Sequence, residues 1–328
     1  MFPAPELADI VTAAERLRPV ARRTPLVESP ILNEALGFRL LIKAEVLQFT
    51  GSFKFRGAYN RIAQLSTAER QAGVVAFSSG NHAQGVAFAA RLCGARTTIL
   101  MPADSPRIKQ ENTRKYGAEV VLYDRLTEDR EALGRTIASE RGATLVPPFE
   151  DPAVIAGQGT IGLEIAAQCR ELGVTPALVA VPVSGGGLLA GIATALATEL
   201  PATRVFAVEP EGFDDTGRSL RSGRRESNPP GGHSICDALL VPTPGETTFA
   251  INRRLAAGGV AVSDAEVEAA MVEAFRHAKL VVEPGGATAL AALLAGKLET
   301  AGQAAVAVAS GGNIDAALFA AALKRHAR

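Results

Sequence analysis

The segment VVAFSSGNHAQGVAFAARLC, at residues 74–93, contains one unit of the pattern that decides the fold. Residues 74–78 form an apolar run of strand length, and residues 81–93 have the apolar spacing of a helix. A strand followed directly by a helix, repeated along a chain, predicts right-handed βαβ units and a parallel sheet. Such sheets bind ligands at the carboxyl ends of their strands, so loop 78–85 is a predicted binding site.

The same alternation continues on both sides of this segment. Residues 1–20 have the apolar period of a short amphipathic helix, residues 39–45 predict a buried strand, and residues 57–70 predict a helix. Residues 211–235 are polar and rich in glycine and proline, which predicts the longest loop and a candidate functional segment. Further predicted strands are 97–101, 119–123, 144–146, 178–183, 205–208, 280–282 and 304–309, and further predicted helices are 106–116, 127–141, 153–172, 188–199, 264–278, 286–299 and a last one near the end.

A chain of 328 residues exceeds what a single core usually supports, so two domains are expected. We predict a small α/β domain at residues 73–150 and a large domain made of residues 1–72 and 151–328. Basic and acidic residues number 34 each, which argues against nucleic acid or an anionic membrane as partner. No apolar run is long enough to cross a bilayer. A small-molecule partner is expected. Three widely spaced cysteines suggest neither a disulfide framework nor a zinc site, and they fit a reducing cytoplasm.

One lysine stands out in the stretch TGSFKFRGA at residues 50–58. A lysine amine attacks a carbonyl only when part of its population is neutral. Burial beside Phe53 and Phe55, with a second cation at Arg56, would lower the pKa of Lys54 in that direction. Lys54 is therefore a candidate nucleophile, and the alternative is a surface lysine with a salt-bridge partner.

Loop 78–85 (SSGNHAQG) leads from a predicted strand into a predicted helix, whose N-terminal N–H groups suit an anion such as a carboxylate. Ser79, Asn81 and His82 add hydrogen-bonding side chains there. The alternative is ordinary capping of the helix by serine or asparagine.

Loop 184–188 (SGGGL) has the same position, and its three glycines let the backbone approach a phosphate closely. The pattern Gly185-x-Gly187-x-x-Ala190, with Glu209 about 20 residues later, also satisfies the dinucleotide-binding fingerprint. A nicotinamide- or flavin-dependent oxidoreductase is therefore a competing hypothesis.

Three more loops follow predicted strands. Glu209, Asp214 and Asp215 could hold a hard divalent cation, or they could be solvated loop acids. A strand-to-helix turn begins at Glu283. In the turn SGGN at residues 310–313, Ser310 could hydrogen-bond a ring nitrogen without protonating it, or it could cap a helix.

Four motifs together resemble the fold-type II pyridoxal-phosphate enzymes, whose fold is that of the tryptophan synthase β chain. The motifs are Ser-x-Lys-x-Arg-Gly around Lys54, the loop SSGNH, the triglycine loop and the late turn SGGN. They occur in the family's order over nearly the whole chain. The stretch DPxxIAGQGT at residues 151–160 resembles the serine/threonine dehydratase and serine racemase branch. So does Phe55, because synthases of the family usually have aspartate after the lysine.

The resemblance implies two open parallel-sheet α/β domains with pyridoxal 5'-phosphate in the cleft between them. Lys54 would form the Schiff base with the cofactor and act as the base at Cα of the substrate. Ser79 would be the second acid/base, on the opposite face of Cα. The implied cofactor-binding residues are Phe53, Lys54, Asn81, Ser184, Gly185, Gly186, Gly187, Leu188, Glu283 and Ser310.

The resemblance also implies sites for the substrate and a metal. Ser78, Ser79, Asn81, His82 and Ala83 would receive the substrate carboxylate, and Glu209, Asp215 and the carbonyl of Phe213 would bind Mg²⁺ or Ca²⁺. The last of the implied substrate-binding residues is Arg130, which matches an arginine near the active site of relatives that act on 3-hydroxyaspartate. The alternative is a solvated arginine at the start of helix 127–141. If Arg130 faces the cleft, it would favour a substrate with a second carboxylate.

The implied reaction is elimination of water from a small β-hydroxy amino acid, L-threonine or L-serine, followed by hydrolysis to a 2-oxo acid and ammonia. Alternatives within the family are a 3-hydroxyaspartate dehydratase and a serine racemase. Outside it, the dinucleotide-dependent oxidoreductase competes, and a catalytically silent cofactor-binding module is a further possibility. The chain ends soon after Ser310, so no C-terminal regulatory domain and no feedback by an amino acid are expected. We expect a homodimer or a larger homo-oligomer.

Overall fold

The computed structural model describes residues 3–78, 80–105, 107–124 and 127–326. Ser79 therefore lies outside the described residues. The strands, numbered along the chain, are β1 (Leu26–Glu28), β2 (Leu40–Ala44), β3 (Val74–Phe77), β4 (Thr97–Pro102), β5 (Glu119–Tyr123), β6 (Thr144–Leu145), β7 (Leu178–Pro182), β8 (Arg204–Pro210), β9 (Gly258–Val262) and β10 (Ala305–Ala309).

These strands form two sheets, a larger one in the order β1-β2-β10-β7-β8-β9 and a smaller one in the order β5-β4-β3-β6. All neighbours are parallel except the edge strand β1, which pairs antiparallel with β2. The predicted α/β fold with parallel sheets is confirmed. The central strands β2, β7 and β10 are buried along their whole length, as parallel strands covered by helices on both faces should be.

The helices cover both sheets. They are α1 (Leu7–Leu17), α2 (Pro30–Leu36), α3 (Lys54–Ile62), α4 (Thr67–Ala72), α5 (Asn81–Leu92), α6 (Arg107–Lys115), α7 (Arg130–Arg141), α8 (Pro152–Glu171), α9 (Gly187–Glu199), α10 (Asp215–Ser222), α11 (Glu246–Leu255), α12 (Asp264–Glu273), α13 (Pro284–Leu294) and α14 (Ala316–Arg325). A π-helical turn, Ala274–Ala278, extends α12, and Asp237–Leu239 is a short 3₁₀ helix. In the described part of the chain, no helix is both long and apolar enough to cross a membrane.

Helix α3 packs tightly on α8 because glycines face each other at the contact. A Cβ built on Gly157 of α8 would lie 2.6 Å from the Cα of Gly57 in α3. Only glycine at these positions allows such a close approach of two helix backbones. The close approach fixes the start of α3, where Lys54 lies.

Several boundaries differ from the sequence prediction. Residues 280–282, which are predicted as a strand, do not pair with either sheet. Leu280 and Val282 are buried while Val281 is exposed, and this alternation is also typical of a strand. One edge of the larger sheet is formed by β9 instead. The sequence pattern does not predict β9, because glycines at its start are unfavourable in strands. The predicted loop 211–235 contains α10, and the predicted helix 57–70 is divided into α3 and α4.

Candidate functional site

A cavity of about 590 Å³ opens where the carboxyl ends of strands from both sheets meet. The ends of β3, β4 and β5 in the smaller sheet and of β7 and β10 in the larger sheet all contribute to its wall. The position agrees with the general rule for ligand sites in open α/β sheets. The predicted site residues that line it are Phe53, Lys54, Ser78, Asn81, His82, Arg130, Ser184, Gly185, Gly186, Gly187, Leu188, Glu283 and Ser310.

Lys54 is the first residue of α3, not a loop residue. Its Nζ donates a hydrogen bond to the carbonyl oxygen of Pro148 at 2.9 Å and lies 5.1 Å from the ring centroid of Phe53. Burial lowers the pKa of Lys54 from 10.5 to about 8. A substantial fraction of such an amine is neutral near physiological pH, which is what attack on a carbonyl requires. No carboxylate in the described residues forms an ion pair with it, so the surface salt-bridge alternative is not supported.

The second cation of the motif does not act as the sequence suggested. Arg56 is fully buried and forms paired hydrogen bonds with Glu45 at 2.8 Å and with Glu164 at 2.7 and 2.9 Å. Glu164 also accepts a hydrogen bond from the buried Lys43 at 2.6 Å. The two carboxylates offset the two cations. Burial alone therefore lowers the pKa of Lys54, and Arg56 instead ties α3 to α8.

The segment before Lys54 and the turn after β10 are joined by backbone pairing. Ser52 pairs with Gly311 in an isolated bridge, and the N–H of Phe53 donates to the carbonyl oxygen of Ser310 at 3.0 Å. Ser310 itself is buried and lines the cavity. Lys54 and Ser310, which are 256 positions apart in the sequence, are therefore neighbours.

The first turn of α5 contributes two polar side chains. His82 is buried, and burial lowers its pKa to about 3, so the ring is neutral at physiological pH. Its Nε2 lies 2.9 Å from the carbonyl oxygen of Val146, which assigns the proton to that nitrogen. Asn81 donates a hydrogen bond to Glu283 and accepts one from Asn313 at 2.7 Å. Burial raises the pKa of Glu283 to about 7.

Ala83, another residue predicted to bind the substrate carboxylate, does not line the cavity. Its side chain is fully buried in the core behind α5. Only its backbone N–H, in the first turn of the helix, could serve a ligand.

The triglycine loop forms a cradle at the N-terminus of α9. Gly186 has a φ of 94°, and a Cβ on Gly185 would lie 2.3 Å from the ring of Phe149, so neither position accepts a larger residue without a shift. The hydroxyl of Thr248 donates to the Gly185 carbonyl at 2.6 Å. Asn252 donates to the Gly186 carbonyl at 3.2 Å. With both carbonyls held from outside, the loop N–H groups and the helix dipole are left for a phosphate.

Arg130 is exposed at the start of α7 and lines the cavity, with its guanidinium carbon 5.6 Å from the ring centroid of Phe77. The guanidinium therefore lies at the cavity wall, and its contact with a second carboxylate stays a prediction.

The predicted metal residues lie away from the cavity. Glu209 is fully buried at the end of β8, and its two oxygens accept hydrogen bonds from the N–H groups of Thr216 at 2.9 Å and Gly217 at 2.7 Å. Burial, followed by the charge of Asp215, raises the pKa of Glu209 to about 8, and burial raises that of Asp215 to about 6. Within the described ranges, no group of three or more His, Cys, Asp or Glu side chains is placed to hold a metal ion.

Sequence reasoning missed several residues of the wall. Pro148, Phe149, Lys109 and Asp237 all line the cavity, although none belongs to a motif that the sequence singled out as a binding site. Pro148 and Phe149 lie three and four residues after the end of β6, so the rule that ligands bind at strand ends could have found them. No sequence pattern places Lys109 and Asp237 in the cavity wall. Their distance from one another depends on how the two sheets are placed.

Known proteins resemble this chain over nearly its whole length. A family model described as pyridoxal-phosphate dependent enzyme matches residues 17–313. An L-threo-3-hydroxyaspartate ammonia-lyase from Pseudomonas sp is 44% identical, over 96% of this chain and 98% of its own. The crystal structure of T.th. threonine deaminase has a TM-score of 0.89 and 45% identity, covering 95% of this chain and 99% of that one. Maize serine racemase has a TM-score of 0.91 and 34% identity, covering 99% and 98%.

Proposed function

This chain belongs to the pyridoxal-phosphate dependent enzymes, and on that basis we propose that it is an ammonia-lyase for a small β-hydroxy amino acid. L-Threonine or L-serine would lose water, and hydrolysis of the resulting imine would take up water again and release ammonia and a 2-oxo acid. The cofactor, when bound, supplies the electron sink that makes the Cα proton acidic. The observation that carries the proposal is that Lys54, the triglycine cradle and Ser310 all line one cavity.

The residues of the cavity fit this cofactor. The glycine cradle and the N-terminus of α9 suit a phosphate, and Ser310 offers a neutral hydroxyl to a ring nitrogen. Asn81, which is hydrogen-bonded to Glu283, would bond the ring hydroxyl, and Phe53 would pack against the ring. These roles follow from the resemblance of the motifs and from their shared cavity.

Lys54 is suited to move the substrate's Cα proton. In the cofactor-free protein its pKa of about 8 lies close to physiological pH, where a general base works best. The carbonyl of Pro148 accepts a hydrogen bond from Nζ and so holds the amine in the cavity. The first turn of α5 offers N–H groups to the substrate carboxylate, which orients Cα toward the lysine.

A substrate panel tests the proposal. The cofactor-loaded protein is given L-threonine, L-serine, D-serine and the stereoisomers of 3-hydroxyaspartate, and 2-oxo acid and ammonia are both quantified. We expect equimolar 2-oxo acid and ammonia from L-threonine or L-serine, their loss in Lys54→Ala, and no change in Lys115→Ala, which removes an exposed lysine. Cofactor binding without any 2-oxo acid would refute the lyase and favour a silent module.

A second candidate substrate is 3-hydroxyaspartate, and the position of Arg130 in the cavity wall favours it. A guanidinium there could bind the distal carboxylate in a bidentate manner. Arg130→Met would then lower turnover of 3-hydroxyaspartate and spare that of L-threonine. An equal loss for both substrates would contradict this role.

Racemisation of serine is the remaining alternative within the family, and it rests on Ser79 as the second acid/base. Ser79→Ala should suppress formation of D-serine from L-serine more than it suppresses pyruvate formation. Equal losses would argue against a role for Ser79 on the opposite face of Cα.

We also propose that Glu209 and Asp215, with the carbonyl of Phe213, bind Mg²⁺ or Ca²⁺. The supporting observation is that two buried carboxyl groups lie close together and that Oδ2 of Asp215 has no hydrogen-bond partner among the described residues. A cation would offset their repulsion. Mg²⁺ should raise the thermal midpoint of the wild type by mass action but not that of Glu209→Gln. An equal shift in both proteins would remove Glu209 from the site.

We also propose that the chain forms a homodimer or a larger homo-oligomer. Exposed apolar side chains, among them Phe275, Val281 and Leu318, suit a homodimer or larger homo-oligomer. Light scattering on the wild type and Leu318→Asp tests this, since a monomeric wild type would contradict it.

Cys93, Cys169 and Cys236 are free thiols, which supports the cytoplasm as the location. Division into residues 73–150 and the remainder follows the two sheets.

A further inference from the structure

An ion pair crosses the cavity between the two sheet systems. The Nζ of Lys109, on helix α6 of the smaller sheet, lies 2.9 Å from Oδ2 of Asp237. Asp237 begins the 3₁₀ helix that follows the fully buried Cys236, so its backbone is anchored in the core of the larger sheet. Both side chains line the cavity, and 61% of the Asp237 side chain is exposed against 18% of Lys109. The pair therefore joins the two walls of the cavity to which the proposed function assigns the substrate.

The pair is electrostatically close to the cofactor-binding residues. Burial is the main cause of the raised pKa of Glu283, but the charge of Asp237 raises that pKa further and the charge of Lys109 lowers it. Both charges thus act on a residue hydrogen-bonded to Asn81. A ligand in the cavity lies within the same field.

The charges of the described cavity wall decide which substrate side chains it tolerates. The cations are Lys54, Lys109 and Arg130, and the carboxyl groups are those of Glu128, Asp129, Asp237 and Glu283. Asp129 caps α7 through the N–H groups of Glu131 and Ala132. An anionic substrate side chain gains from Arg130 only if the nearby carboxylates are offset by cations.

We propose that the Lys109–Asp237 pair determines how well the cavity discriminates between amino acids with a neutral side chain and those with a second carboxylate. Asp237 repels the second carboxylate, and Lys109 cancels that repulsion. Loss of Lys109 leaves an uncompensated anion in the wall, whereas loss of Asp237 leaves an uncompensated cation. The inference rests on the proposed function for its substrates, but it concerns binding selectivity.

The two partners of the pair should therefore shift selectivity in opposite directions. The ratio of kcat/KM for L-threo-3-hydroxyaspartate to that for L-threonine should fall about fivefold in Lys109→Met and rise about fivefold in Asp237→Asn, as expected for one unit charge at a well-solvated site. The double variant should return near the wild-type ratio. About 1 M salt should reduce both shifts. A merely structural role for the pair would move both variants in the same direction.

Arg107→Met is the matched control, because Arg107 lies on the same helix and forms an exposed ion pair with Glu111 at 3.1 Å. Its ratio should equal that of the wild type. Shifts under about twofold in both Lys109→Met and Asp237→Asn, or shifts of the same sign, would overturn the inference.

A binding readout separates this inference from the proposed reaction. The visible absorbance of the cofactor-loaded protein is titrated with L-aspartate and with L-alanine, and the ratio of the two dissociation constants is compared across the variants. Opposite shifts of this ratio would support the inference even if no 2-oxo acid were formed, which would refute only the lyase function. Unchanged ratios would overturn the inference even in an active lyase.

Discussion

Replacement of Arg56 by methionine tests the structural support of the site. Arg56 is 1% exposed, and its guanidinium is the shared partner of Glu45, which is fully buried, and Glu164. The substitution would leave two carboxylates in the interior without their main counter-ion. Removal of one partner from a buried ion pair typically costs about 3–5 kcal/mol. At about 2–4 °C for each kcal/mol, the thermal midpoint should fall by about 6–20 °C.

The assay is thermal unfolding followed by circular dichroism, on the cofactor-free and the cofactor-loaded protein. Arg23→Met is the control, since Arg23 and Glu171 form an ion pair at 2.6 Å in which both side chains are more than half exposed. Exposed pairs of this kind contribute about 0–1 kcal/mol. The double variant Arg56→Met with Glu45→Gln should recover part of the loss, because it removes one of the two carboxylates that lose Arg56 as their partner. A midpoint for Arg56→Met equal to that of Arg23→Met would refute the reasoning.

Three further predictions concern the cavity itself. Gly185→Ala should lower the ratio of bound cofactor to chain, measured by absorbance, because its Cβ would collide with the ring of Phe149; full occupancy would contradict the cradle. In cofactor-free protein, Lys54→Met should stabilise the fold by about 1–3 kcal/mol at pH 7, because the pKa of Lys54 is lower in the folded state and the charged amine is therefore disfavoured there. This gain should disappear as pH rises from about 8 to 10.5, and a gain that is constant in urea titrations across this range would rule out the amine as its cause. The pKa of His82 is also lowered, to about 3, so the wild type should lose stability as pH falls from about 6.5. His82→Gln can still donate a hydrogen bond to Val146 and should lose less stability over this range. Identical acid unfolding profiles of the two proteins would refute this prediction.

The positions of the site loops were predictable because they depend on local sequence. Glycines and polar residues directly after apolar strands mark the carboxyl edge of a parallel sheet, and Ser78, residues 80–82 and residues 184–188 line the cavity at that edge. The order of the motifs predicted the family, and the family match over residues 17–313 confirms it. The roles of individual site residues stay predictions.

Phe55, by which the sequence resembles one branch of the family, is a core residue and not a residue of the cavity wall. Phe55 is fully buried and packs against the rings of Phe49, Tyr59 and Phe88. It does not line the cavity. Its contacts lie in the core around α3, away from the cavity.

Other features depend on tertiary placement and gave no local signal. The carbonyl of Pro148 reaches Lys54 across 94 positions, and Lys109 reaches Asp237 across 128. The neutralisation of Arg56 depends on Glu164, which is 108 positions away on α8. One sequence shows which residues carry charge, but it does not show which charges cancel one another in the interior.

The central claim is that the amine of Lys54 binds pyridoxal phosphate in the cavity. Borohydride reduction of the cofactor-loaded protein, followed by mass mapping of its peptides, tests this claim most directly. We predict one retained cofactor per chain, attached to Lys54, with loss of the visible absorbance band. A label on another lysine, or no retained label, would contradict the account.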